Sequence, residues 1–102
     1  MESRLTLRAE KVRYFHAADE DLFFEWLDKM TVVSEYAGRG DTLFIQLAHL
    51  PTDDELRELI AFHQRYGIEM RQLAQFRSSE NADWFENEEK YWHEGVFGGQ
   101  RL

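Results

Sequence analysis

The sequence contains no cysteine. That excludes a disulfide framework, a thiolate zinc site and a cysteine nucleophile together. Proline occurs once, at Pro51, and the glycines gather at Gly38/Gly40, Gly67 and Gly95/Gly98/Gly99. Those are places for turns and helix ends, not for a linker, and no repeat or low-complexity tract divides the chain. No apolar run approaches the ~20 residues of a membrane-spanning helix. The opening MESRLTLRAEKVRYF is charged and alternating, unlike a secretory leader, so a cytoplasmic, membrane-free protein is expected. Basic residues are also scarce: twelve Lys and Arg stand against twenty Asp and Glu, a formal net charge of -8. Such a field repels phosphate backbones and favours a basic partner or plain solubility.

The signatures of common enzymes are missing as well. There is no Gly-x-Ser-x-Gly, Walker A or dinucleotide glycine pattern, and the four histidines His16, His49, His63 and His93 form no H-x-x-x-H pair. No metal and no cofactor is expected. The strongest catalytic alternative is a small metal-dependent or acid–base enzyme that brings His16 and His49 together beside Asp19 or Asp53. Ordinary surface or half-buried histidines explain the same residues.

What the chain does have is 102 residues, 43% of them hydrophobic and 15% aromatic, enough for one core. Leu5, Leu7 and Ala9 alternate with Thr6 and Arg8, and Val12, Tyr14 and Phe15 follow, which predicts a strand bulged near Glu10–Lys11. In DEDLFFEWLDKM the period changes, and Leu22, Phe23, Trp26, Leu27 and Met30 fall on one helical face. Val32, Val33 and Tyr36, then Leu43, Ile45 and Leu47, flank a Gly-Arg-Gly-Asp turn and predict a hairpin. The tripeptide Arg39-Gly40-Asp41 is explained by turn chemistry rather than by adhesion. PTDDELRELIAFHQRYG is a helix with a Thr52/Glu55 capping box, a stripe of Leu56, Leu59, Ile60 and His63, and a Gly67 stop. IEMRQLAQF passes as a fourth strand with imperfect alternation. The expectation is a single α+β domain over 1–102. It would hold an antiparallel sheet with two helices on one face (βαββαβ, ferredoxin-like) plus a C-terminal helix.

That last segment, NADWFENEEKYWHEGVF, sets rings beside acids. On a continuous helix Trp84 and Tyr91 flank Glu88, and Phe85 and Trp92 flank Glu89. The band can close the core or be presented to a partner. Candidate partner-binding residues therefore lie on two acidic surfaces. One is the first helix with Asp21, Glu25 and Asp28; the other is the terminal segment with Asp83, Glu86, Glu89 and Trp92. An RNA platform built from Tyr14, Tyr36 and Phe44 lacks the basic residues that phosphates need. An adaptor or a dimer that uses the free face of the sheet is a further reading.

The run DDELRELIAFHQRYGIEMRQLAQF followed by WFENEEKYWHEGVF resembles small bacterial proteins of this length. It also resembles the immunity proteins of contact-dependent growth inhibition and other polymorphic toxin systems. The similarity spans Tyr14 to Phe97 and rests on RYGIEMRQLAQF and KYWH. Immunity proteins differ widely in fold, so the resemblance implies a role and a partner class, not site residues. It implies a cytoplasmic, non-catalytic antidote that occludes a cognate toxin, one with a basic surface if that toxin cuts nucleic acid. An acidic domain suits that task, because opposite charge speeds encounter and desolvated anchors slow release.

Overall fold

The computed structural model describes residues 5–98. Within them the chain forms two compact units, one up to Leu50 and one from Pro51 onward.

The first unit begins with strand β1, Thr6–Glu10, where Leu7 and Ala9 are buried and Arg8 and Glu10 exposed, as alternation requires. The strand stops where a bulge was expected. Lys11 takes a left-handed φ of 51°, and its N–H donates to the Asp41 carbonyl at 2.8 Å. Val12, Tyr14 and Phe15 consequently leave the sheet. Helix α1, Ala17–Lys29, follows; His16 caps it, Nδ1 accepting from the Ala18 N–H at 3.0 Å. Strands β2, Val33–Arg39, and β3, Thr42–Leu47, form the expected hairpin. Gly40, first of the two loop residues, has φ 61°, where a two-residue loop favours glycine.

Strand order is β1-β3-β2, with both pairings antiparallel. β1 and β2 thus run parallel with β3 inserted between them, a split β-α-β unit. One sheet face carries the buried Leu7, Ala9, Ile45 and Leu47. Helix α1 lies over this face: Phe24 packs on Tyr36 at 5.7 Å and Phe23 meets Tyr14 edge-on at 5.3 Å. The other face carries mainly polar residues of the three strands, with Phe44 and Ala37 among them.

In the second unit, α2, Asp53–Tyr66, matches its expected signals. The Glu55 N–H donates to Thr52 Oγ1 at 3.2 Å, the Thr52 N–H returns to Glu55 Oε1 at 3.0 Å, and Gly67 ends the helix at φ 67°. Leu56, Leu59, Ile60, Phe62 and His63 are buried.

Two expectations fail here. The fourth strand is instead a 3-10 helix, Met70–Phe76. Its buried residues, Leu73 and Phe76, are three apart, the repeat that a 3-10 turn superimposes and a strand sends to opposite faces. Glu69 favours that turn by accepting the Arg71 N–H at 3.0 Å. The class is therefore α+β with a three-stranded antiparallel sheet, and the complete ferredoxin-like βαββαβ arrangement is not formed among the described residues.

The terminal helix is also broken, into α3, Ala82–Phe85, and α4, His93–Phe97. Asn87 Oδ1 accepts the Glu89 N–H at 2.8 Å, a local bond that competes with helix, and Glu86, Glu88 and Glu89 would repel one another within one turn.

Candidate docking surfaces

Asp21, Glu25 and Asp28 sit on α1 at spacings of four and three, so they form one row, and all three are exposed. Glu25 meets Lys29 at 3.7 Å; both side chains are well exposed, so the pair is worth little. Asp28 is positioned differently. Its Oδ1 accepts the Tyr36 hydroxyl from β2 at 2.7 Å. That hydrogen bond, then burial and the charge of Asp28, raise the Tyr36 phenol above its ordinary pKa. A neutral donor thus orients the carboxylate without cancelling its charge.

A second row runs beside the first and is apolar. Leu22 was expected in the core but is 55% exposed, and Phe15, just ahead of the cap, is 80% exposed. Ala18, also exposed, lies four residues before Leu22 on the same side of the helix. The Phe15 N–H donates to an Asp19 carboxylate oxygen at 3.1 Å, which ties the backbone at Phe15 to the start of the helix. Leu22 is three residues from Glu25 and Ala18 three from Asp21, so the two rows touch along their length. Phe23 and Leu27 fill the inward side of α1, leaving no core position for Leu22. Sequence periodicity missed Phe15 and Leu22 because it groups apolar residues on one face. The signal was available in the width of the apolar set, too broad for one buried stripe.

The terminal segment resolves otherwise. Asp83 and Glu89 are exposed, but Glu86 is half-buried and takes Arg77 Nε at 2.7 Å, an ion pair that neutralises it. Trp92 is 7% exposed and donates Nε1–H to the Phe85 carbonyl at 2.7 Å. It is a core residue and cannot meet a partner. Trp84 and Trp92 pack edge-to-face at 6.0 Å, and the Arg57 guanidinium lies 4.2 Å over Trp84. Only Tyr91, 60% exposed, turns its ring outward among the large aromatics of this stretch.

The histidines are committed to structure or scattered. His16 caps α1, His49 is exposed in the bend after β3, and His93 is half-buried against Phe97 at 5.6 Å. His63 is fully buried: Nδ1–H donates to the Leu59 carbonyl at 2.7 Å and Nε2 accepts from the Gln72 amide at 3.0 Å. Burial lowers its pKa to about 4 against a weaker upward pull from the Leu59 bond and the charge of Glu69. A cleft of about 470 Å³ opens beside it, with Glu69, Met70, Arg71 and Glu94 in its walls. Both ring nitrogens of His63 are already bonded. No group of three or more His, Asp or Glu among the described residues could hold a metal ion.

The three rings weighed as an RNA platform are split by the fold. Tyr14 and Tyr36 pack with Phe23 and Phe24 beside α1, and Phe44 alone lies on the opposite sheet face. No helix among the described residues is long and apolar enough to cross a membrane. No family model, curated protein or solved structure matches this chain.

Proposed function

We propose that this protein is a cytoplasmic, non-catalytic binding protein that docks a basic protein partner on the outward face of α1, and that it acts as an immunity protein. Its partner would be a cognate toxin, neutralised by stoichiometric occlusion. The observation that carries this reading is an acidic row, Asp21, Glu25 and Asp28, beside the exposed Ala18 and Leu22 on the same helix, with the exposed Phe15 just ahead of it. Carboxylates that keep their charge draw a cationic surface in and set its orientation. An exposed leucine and phenylalanine then supply the apolar area that slows dissociation once water is expelled. Each row lacks what the other provides.

The terminal segment plays a smaller part. Asp83 and Glu89 add to the negative field, while Glu86 is neutralised by Arg77 and Trp92 is buried. A nuclease toxin fits the charge best, because a groove built for phosphates is basic. The test is co-purification with the protein encoded beside this chain, followed by calorimetry. The expected result is a one-to-one complex, with protection of cells that express the neighbour. Absence of both a complex and protection removes the proposal. So does a complex that Leu22→Asp and the Asp21→Lys/Glu25→Lys pair leave untouched.

A further inference from the structure

The register of the sheet fixes what its outer face presents. Cross-strand partners point the same way, which gives three rows across β1, β3 and β2: Thr6, Gln46, Glu35; Arg8, Phe44, Ala37; and Glu10, Thr42, Arg39. Arg8, Glu10, Glu35, Ala37 and Arg39 are exposed, and Thr6, Thr42, Phe44 and Gln46 are half-buried. The ring of Phe44 sits at the centre with a guanidinium on each side, Arg8 at 5.5 Å and Arg39 at 5.9 Å. Stacking on the ring holds both arginines over the sheet.

The charges on this face sum to zero: two arginines against two glutamates, on a chain of net charge -8. Interleaved Glu10 and Glu35 make it a poor track for a phosphate backbone. Their placement does fit a second copy of the same face. Turned over about a twofold axis along β3, β1 of one copy lies across β2 of the other and each row meets itself. Glu10 then faces Arg39 of the second copy, twice by symmetry, and Phe44 meets Phe44. Arg8 falls on the small Ala37, with Glu35 of that copy on the same strand face two residues away. A twofold axis across the strands instead sets Arg8 against Arg8, which like charge disfavours. Aligned face-to-face packing is an ordinary arrangement for twisted sheets.

We infer that the outer face of the three-stranded sheet is a self-association surface, joining two copies of this chain about a twofold axis along β3 through paired Glu10–Arg39 contacts around Phe44. Nine residues a side is fewer than the ~20–30 of a standard interface, so the dimer is a transient one. The surface is separate from the α1 rows, and substitutions here leave those rows intact.

The test is sedimentation equilibrium on the full chain up to millimolar concentration, with a charge exchange. The wild type is expected to pass from monomer to dimer. Glu10→Arg and Arg39→Glu, each at an exposed position, are each expected to weaken the dimer by about tenfold or more, and the double exchange to restore it. Circular dichroism of each variant checks that the fold persists, and Phe44→Asp provides a second disruption if one exchange variant fails that check. A chain that stays monomeric throughout overturns the inference, as does a dimer indifferent to the single exchanges or unrestored by the double one. Binding of a single-stranded oligonucleotide that Phe44→Asp abolishes, without self-association, assigns the face to a different ligand and overturns it too.

Discussion

The first helix and the terminal segment have the same ingredients, carboxylates and large apolar side chains, and the protein uses them in opposite ways. On α1 the apolar Leu22 is exposed, as is Phe15 just ahead of it, and Asp28 is held by a neutral phenol that preserves its charge. In the terminal segment Trp92 and Phe85 face inward, and Glu86 is held by an arginine that cancels its charge. Composition does not separate the two regions. What separates them is which polar group each side chain finds: the Trp92 N–H finds a backbone carbonyl inside, whereas Phe15 and Leu22 have no polar atom to satisfy and the inward side of α1 is already filled.

The sharpest way to break this contrast is truncation. Trp92→Ala should cost about 3–5 kcal/mol of stability, as removal of a buried ring does. Leu22→Ala should stay within about 0.5 kcal/mol. Urea denaturation of both variants checks this, and equal losses would show that the two regions are not distinct. Next in size is an acid response seated in the second unit. The folded pKa of His63 lies at about 4, below the ordinary 6.5, so the unfolded chain takes up the proton more readily. The contribution is fully present above 6.5 and is lost as pH falls from there toward 4. The loss amounts to about 3 kcal/mol at ~1.4 kcal/mol per pKa unit. Urea unfolding across that window should show it, and His63→Gln should flatten it. An unchanged pH slope in that variant would place the proton uptake elsewhere.

A smaller effect concerns binding rather than folding. Leu22→Asp should weaken the complex with a basic partner by about 1–2 kcal/mol or more while leaving thermal stability almost unchanged. Tyr91→Ala, in the terminal segment, should change it little. If Tyr91 dominates calorimetric titrations instead, the partner docks on the other surface.

Much of the fold was legible because local chemistry announced it. Thr52, Glu55 and Gly67 mark the ends of α2 whatever packs against it, and Gly40 marks the hairpin. The 3-10 helix was not legible, since Ile68, Met70, Ala74 and Phe76 satisfy a loose alternation that Leu73 interrupts, and a deciding bond joins distant residues. The Gln72 amide reaches His63, nine positions back. The terminal break was half-visible in its run of like charges. Of the candidate residues, the exposure of Asp21, Glu25 and Asp28 as one row was legible from spacing alone, because a polar row on a helix needs no tertiary information to be exposed. Leu22 and Trp92 were misplaced for one common reason. Hydrophobicity states that a side chain gains by burial, but not whether room remains or a polar tip is satisfied there.

The smallest expected effect tests the most specific claim about α1, that Tyr36 pre-positions Asp28. The phenol is raised above its ordinary pKa of 10.0 chiefly by its hydrogen bond to that carboxylate, and the bond exists only while the phenol keeps its proton. Its contribution to the fold is therefore present below pH 10 and disappears as pH rises through the elevated folded value. Spectrophotometric titration should show the Tyr36 transition moving down toward the ordinary value in Asp28→Asn, where the negative acceptor is gone. Tyr36→Phe should leave the charge of Asp28 in place but free its rotamers, so association with a basic partner stays fast while the complex loses a little affinity to side-chain ordering. Glu86 offers the converse. Arg77→Gln should release its charge and strengthen long-range attraction at low salt, an effect that disappears as ionic strength screens it. If both variants behave alike, the kind of group that holds each carboxylate makes no difference, and the two acidic surfaces are equivalent after all.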